Sequence, residues 1–95
     1  MTPVATYGHI VRKPRICGGL PHINGTRIRV MDVVALHERG LSPAEILDSL
    51  EHLTLAQVHS ALAYYYDHED EIEREFEQAR RFAEKFRTKH PDMVR

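Results

Sequence analysis

The sequence predicts a mainly α-helical domain with a β-hairpin near its N-terminus, and three local patterns support this fold class. An Asn-Gly pair at residues 24–25 lies between two apolar segments and is the strongest short-range signal for a hairpin. Two capping boxes, at residues 42–45 and 54–57, each mark the start of a helix. From Thr54 to His90 the chain contains no glycine or proline, so a long helical stretch is expected there.

The hairpin prediction places strands at residues 20–23 and 26–30, joined by a type I′ turn in which both central residues have positive φ. A two-residue loop sets Ile23 opposite Thr26, and one face of the hairpin is then apolar. The other face is basic and carries His22, Arg27 and Arg29.

Four helices are expected after the hairpin. The first covers residues 30–39 and ends at Gly40, because a glycine suits the left-handed position that follows a helix. A short second helix follows at residues 42–50, and the third spans residues 54–66. The second and third helices, separated by a tight turn, would form a helix-turn-helix with the third as the recognition helix. We expect a break near residues 67–68 to start the fourth and longest helix, with one continuous helix from residue 54 as the alternative.

The third helix has an apolar stripe and a polar outward face. The residues predicted to be buried are Leu55, Val58, Leu62 and Tyr65. The predicted outward positions are Gln57, Ser60 and Tyr64. Glutamine can hydrogen-bond adenine and serine can contact several bases, so Gln57 and Ser60 are candidates for base contacts. No lysine or arginine lies between Arg39 and Arg74 to contact phosphates, which leaves a plain bundle helix as the alternative.

The charge changes sign along a chain that we expect to form one domain, residues 1–95. Residues 1–31, a basic arm and the hairpin, contain five bases and no acid. Residues 32–66, the helical bundle, are acidic. Residues 67–95, the long helix and a tail, carry acids first and bases afterwards, which suits the helix dipole. This uneven charge distribution favours binding to two different partners. The alternative is a solvated charged surface with no binding role.

Several function classes lack the residues that they need. Cys17 is the only cysteine, so the sequence offers neither an internal disulfide nor a two-cysteine zinc site. The seven histidines show no metal-ligand spacing, and the glycines do not match a nucleotide-binding loop. We therefore expect no enzyme, no metal and no cofactor. We also expect a cytoplasmic protein, because no apolar run reaches the ~20 residues of a membrane span and the N-terminus does not resemble a signal peptide.

The long C-terminal helix carries an apolar seam with spacings of four and three residues, which is the heptad pattern. The seam, with one aromatic residue beside it, consists of Ile72, Phe76, Ala79, Phe82, Ala83 and Phe86. It has two interpretations: it binds in a groove of a partner, or it covers the domain's own bundle. We adopt the partner interpretation, because three short helices and a hairpin offer little surface to cover so long a helix.

A glycine-rich segment gives the chain a family resemblance. The segment is CGGLPHINGTRIRV at residues 17–30, and it is followed by RGLS at 39–42, AEIL at 44–47, LT at 53–54 and ALAY at 61–64. Together these motifs resemble the domain-of-unknown-function 433 family, DUF433, over about residues 10–68. The resemblance implies a β-hairpin joined to a homeodomain-like helical bundle. This chain has Leu50-Glu51 where the family usually has an aromatic-proline pair, so a less rigid turn is expected there.

The resemblance also implies a function, because many members of the family are antitoxins encoded beside PIN-like ribonuclease toxins. We therefore expect the antitoxin of a type II toxin-antitoxin pair, in which the C-terminal helix binds and occludes the ribonuclease. We expect the basic hairpin and the helix-turn-helix to bind operator DNA, and a homodimer to form through the hairpin edge. The expected DNA contacts are Arg12, Lys13, Arg15, Arg27, Arg29, Gln57 and Ser60. The alternatives are a DNA-binding regulator without a toxin and a self-associating structural adaptor.

Overall fold

The computed structural model describes residues 8–89. It is mostly helical and has a short two-stranded antiparallel sheet near the N-terminus, so the predicted fold class is confirmed. The strands are β1 (Ile10–Val11) and β2 (His22–Ile23), with a 3-10 turn at Cys17–Gly19 between them. The helices are α1 (Val30–Glu38), α2 (Pro43–Ser49), α3 (Leu55–Asp67) and α4 (Glu69–Lys89).

The two strands pair differently from the predicted hairpin. β1 runs antiparallel to β2, with Ile10 opposite Ile23. The segment predicted as the second strand, residues 26–30, forms a single β-bridge, between His22 and Arg29. The strand prediction for residues 26–30 is therefore wrong, and the main partner of β2 comes from the segment that precedes it.

The turn at residues 24–25 exists, but it is not the predicted two-residue loop. The amide of Ile23 donates to the carbonyl of Ile28 at 2.9 Å, so four residues separate the paired positions. The Thr26 hydroxyl fixes this wider loop, because it donates to the Ile23 carbonyl at 2.9 Å and accepts from the Ile28 amide at 3.0 Å. Gly25 has a φ of 84°, whereas Asn24 lies outside the positive region, so a type I′ turn is excluded.

The helix starts agree with the predicted capping boxes. At the start of α2, the Ser42 amide donates to the Glu45 carboxylate at 2.9 Å and the Glu45 amide donates to the Ser42 hydroxyl at 3.2 Å. At the start of α3, Thr54 and Gln57 exchange the same two bonds at 2.8 and 3.2 Å. Gly40, with a φ of 96°, follows α1 as predicted. Both short helices are therefore fixed by local sequence signals.

The predicted break between the third and fourth helices is confirmed. α3 ends at Asp67, and α4 begins at Glu69. His68 forms the hinge, with φ −136° and ψ 41°, and its ring Nδ1 is hydrogen-bonded to the Tyr64 carbonyl at 3.0 Å. The hinge turns α4 back across the bundle, where the Ile72 side chain is fully buried.

The core lies where α1 crosses α3, and β2, α2 and α4 close it. Its members include Ile23, Val30, Val33, Val34, Ile46, Val58, Ala61, Leu62, Tyr65 and Ile72. Two positions of α3 differ from the predicted faces. Leu55 is 45% exposed, because the stripe that faces α1 begins one turn later at Val58. Tyr64, predicted to face outward, is buried, and its hydroxyl donates to Glu71 at 2.6 Å.

Candidate nucleic-acid and partner interfaces

Four of the five bases predicted in residues 1–31, which we call the arm bases, are exposed. They are Arg12, Lys13, Arg15 and Arg27, and of these four only Arg12 has an acidic partner among the described residues. The ammonium of Lys13 donates to the Asn24 side-chain carbonyl at 3.1 Å, and the Cys17 thiol lies 3.4 Å from the Arg27 carbonyl oxygen. These contacts hold residues 13–17 alongside the turn that follows β2. Arg15 and Arg27 form no ion pair with any described residue, so this corner of the molecule carries accessible positive charge.

Arg29 is bound by an acid of its own chain. Its Nε and Nη2 donate to the two carboxylate oxygens of Asp32 at 3.1 and 2.8 Å. The Arg29 amide also donates to Asp32, at 2.8 Å, and thereby caps the start of α1. The hydrogen bond with Asp32 raises the pKa of Arg29. The guanidinium predicted to contact DNA is thus part of the capping of α1.

Arg12 is bound in a second cluster, which we call the Arg12 clasp: Arg12, Tyr64 and Glu71. The Nη2 of Arg12 donates to the Tyr64 hydroxyl at 3.0 Å and forms an ion pair with the Glu71 carboxylate. Tyr64 in turn donates to the other oxygen of Glu71. The clasp therefore joins the segment after β1 to both α3 and α4.

Two buried polar side chains lie in this region of the fold. Glu75 on α4 is 8% exposed and His22 on β2 is 1% exposed. The Oε1 of Glu75 and the Nε2 of His22 have no hydrogen-bond partner among the described residues. Burial raises the pKa of Glu75, while the charges of Arg12 and Arg29 oppose that rise. The placement of His22 on an exposed basic face was wrong: its Nδ1 is hydrogen-bonded to the Leu20 carbonyl at 2.9 Å.

α2 and α3 are two capped helices joined by a short turn, and the predicted base contacts on α3 are only partly accessible. The side-chain oxygen of Gln57 accepts the Thr54 amide in the capping box, so it is already occupied. Ser60 is half-buried. No lysine or arginine of α3 is available to contact phosphates beside these two residues. Base contacts by α3 would therefore depend on phosphate contacts made by other parts of the chain.

The predicted seam of α4 divides into two parts. Ile72 is fully buried and Phe76 packs against the core, because the hinge at His68 brings the first half of α4 onto the bundle. Ile72 belongs to the domain's own core, so its assignment to a partner-binding surface was wrong. Phe76 is partly buried against that core, and its partner contact stays a prediction. The second part, which we call the distal face, is Ala79, Phe82, Ala83 and Phe86. Phe82 is 72% exposed and Phe86 is 39% exposed.

Basic side chains border the distal face on both sides. Residues 78–89 contain five bases and one acid, and all of these residues are exposed. At about 100° per residue, Arg80 and Arg87 lie along one border of the distal face, and Lys85 and Lys89 lie along the other. Arg80 also pairs with Glu77 at 2.6 Å. At a rise of about 1.5 Å per residue, this segment is about 18 Å long. It is an exposed aromatic strip with two basic rims.

The described residues contain no group of three or more His, Cys, Asp or Glu side chains that could hold a metal ion. In the same part of the chain, no helix combines the length and the apolar character that a membrane crossing requires.

Comparison with known proteins places this geometry in a family. The model of DUF433, described as a protein of unknown function, matches residues 10–65. A crystal structure of a DUF433 member from Anabaena variabilis is similar to this chain, with 35% sequence identity and a TM-score of 0.64. The similarity covers 70% of this chain and 65% of that one, slightly less than two thirds of its length. No curated protein matches significantly. Because the family model matches more than half of the sequence, the chain belongs to the DUF433 family.

Proposed function

We propose that this protein is the antitoxin of a type II toxin-antitoxin pair, and that it neutralises a PIN-like ribonuclease through the distal face of α4. The observation that carries the proposal is the placement of Phe82, which is 72% exposed on a helix that continues past the bundle. Large aromatic side chains exposed in this way are typical of protein-binding surfaces. The proposal gives the chain a binding role and no catalytic one.

The distal face fits a groove that is apolar along its floor and acidic along its edges. An amphipathic helix binds such a groove through residues spaced three and four apart, as Ala79, Phe82, Ala83 and Phe86 are. Nucleases that use Mg²⁺ hold the ion with carboxylates, so their active-site cleft is acidic. The basic rims of the distal face have the complementary charge. A helix bound there would occlude the cleft.

The proposal includes operator binding by the arm, where Lys13, Arg15 and Arg27 would contact phosphates. Gln57 and Ser60 of α3, which are uncharged, would add only hydrogen bonds to the DNA. The proposed homodimer would pair through the outer edge of β1, because β2 is flanked by β1 on one side and by the Arg29 bridge on the other. This edge has two residues, so it would contribute few hydrogen bonds to a dimer.

Inhibition of RNA cleavage tests the proposal directly. The measurement uses the PIN-like ribonuclease encoded beside the gene of this protein, with wild-type protein and with the rim variant Lys85→Glu/Lys89→Glu. We expect the wild type to inhibit cleavage and the rim variant to inhibit it weakly, because the variant presents acids to an acidic cleft. Asp48→Lys is the matched control, since this exposed acid lies on α2 away from the distal face. Full cleavage in the presence of excess wild-type protein would reject the proposal.

A DNA-binding regulator without a toxin is the second candidate. The observation that favours it is the set of three exposed arm bases that have no ion pair with a described residue, Lys13, Arg15 and Arg27. It predicts operator binding that is lost in Arg15→Ala/Arg27→Ala, together with no effect of the protein on any neighbouring ribonuclease. The cleavage measurement therefore separates the two candidates.

A further inference from the structure

The Arg12 clasp lies at the surface, although it joins three parts of the chain. The Arg12 side chain is 47% exposed and the Glu71 side chain is 28% exposed. Arg12 can therefore be reached by a ligand while it is still bound to its own carboxylate. It is also one of the five arm bases from which DNA binding was predicted.

A guanidinium binds a carboxylate and a phosphate with the same N–H donors and in the same planar geometry. Glu71 and a DNA phosphate would therefore compete for one group on Arg12. We infer that the start of α4 is an autoinhibitory competitor of nucleic acid, so that Arg12 contacts a phosphate only after it leaves Glu71. This inference rests on the DNA-binding part of the proposed function and adds the contact that regulates it.

Two further acids of the chain, Glu75 and Asp32, also interact with arm bases. Glu75 lies one turn after Glu71 and is buried, and the positive charges of Arg12 and Arg29 favour its ionised form. Arg29 is already bound by Asp32. Acids of the chain itself thus neutralise two of the five arm bases, and three remain for phosphates.

Because Glu71 lies on α4, this competition also couples DNA binding to the position of α4. The clasp ties the first turn of α4 to the arm across the hinge at His68, and beyond it α4 is held by the packing of Ile72 and Phe76. When Arg12 is released from Glu71, α4 loses this ion pair with the arm and keeps only its apolar packing against the bundle. Linkage is reciprocal, so a partner that fixes α4 in its present position weakens the binding of DNA to Arg12.

The test is a binding measurement with a short random-sequence DNA duplex at low salt, made on the full chain. Glu71→Gln should raise the affinity by about two- to five-fold, since breaking an exposed ion pair has a modest cost. Asp70→Asn is the matched control. It removes the same charge from the adjacent residue, and Asp70 is exposed and has no ion pair with a described residue. The gain of Glu71→Gln over Asp70→Asn should disappear when Arg12→Gln is added to both.

Tyr64→Phe provides a second variant in case Glu71→Gln alters the fold. It keeps the ring and removes the hydroxyl that bonds both Arg12 and Glu71, so it should raise the affinity in the same Arg12-dependent way. Equal affinities for Glu71→Gln and Asp70→Asn, with DNA bound by both, would overturn the inference and leave the proposed function intact. If no variant bound DNA, the inference and operator binding would both be rejected. Inhibition of the ribonuclease would then decide the rest of the proposed function separately.

Discussion

Glu75 is the residue whose environment conflicts most with its charge. It lies on the buried side of α4, and one of its carboxylate oxygens has no hydrogen-bond partner among the described residues. An unpaired oxygen of this kind is unfavourable, because the desolvation of the ionised carboxylate is not compensated. Burial accordingly raises the pKa of Glu75 above its ordinary value of 4.5.

The raised pKa predicts a pH dependence of stability. A group that binds its proton more tightly in the folded state stabilises the fold fully below its unfolded pKa, here near pH 4.5. This contribution is lost as the pH rises through the folded pKa. Glu75→Gln, which stays uncharged, should therefore raise the thermal midpoint at pH 7 and flatten its dependence on pH above pH 4.5. Thermal denaturation of both proteins over a pH series measures this.

Glu77→Gln is the control for that series. The pKa of Glu77 is lowered by its hydrogen bond and ion pair with Arg80, so its contribution has the opposite sign. A lower midpoint for Glu75→Gln than for wild type at pH 7 would show that Arg12 and Arg29 compensate the buried charge fully.

At the scale of the elements, the division of α4 predicts two different mutational responses. Ile72→Ala should lower the free energy of unfolding by about 2–5 kcal/mol, since it leaves a cavity in the core. Ala79→Ser on the distal face should change it by less than about 0.5 kcal/mol, because the site is exposed. Urea denaturation of the two variants measures both values. Similar losses for the two variants would contradict the division of the seam.

The elements also show which features the sequence could predict. The two capping boxes, Gly40 and the break near residue 68 are local signals, and each was found where it was predicted. The hairpin register was not predicted, because the Thr26 hydroxyl closes a wider loop than the Asn-Gly pair alone would form. β1 was missed because two residues are too few to show an alternating pattern.

The candidate surfaces were predictable to a smaller extent. The sequence identifies the arm bases and the seam, but ion pairs in the fold decide which of these bases are already bound to an acid of the chain. Arg12 and Glu71 are 59 positions apart, and no spacing rule joins them. In the same way, the periodicity of the seam is uniform, whereas its burial ends where α4 passes the edge of the bundle, beyond Phe76.

For the whole molecule, the ion pairs of Arg12 and Arg29 should limit how steeply the DNA affinity falls as the salt concentration rises. If only Lys13, Arg15 and Arg27 contact phosphates, the plot of log affinity against log salt should have a slope of about −3. Five contacts would give about −4.5. Titrations of a DNA duplex at several salt concentrations measure the slope. A wild-type slope near −4.5 would contradict the limit to these three contacts.

The proposed function requires that the distal face of α4 bind the ribonuclease without stabilising the domain itself. The most direct measurement is made on Phe82→Ala/Phe86→Ala, with the thermal midpoint and the Kd for the ribonuclease determined on one preparation. Each aromatic hot spot is expected to contribute about 2 kcal/mol or more to binding, which is about thirty-fold in Kd. We predict that the midpoint stays at the wild-type value while the affinity falls by at least two orders of magnitude. A midpoint and an affinity that fall together would instead assign these phenylalanines to the domain's own core, and an unchanged affinity would remove the distal face from the interface.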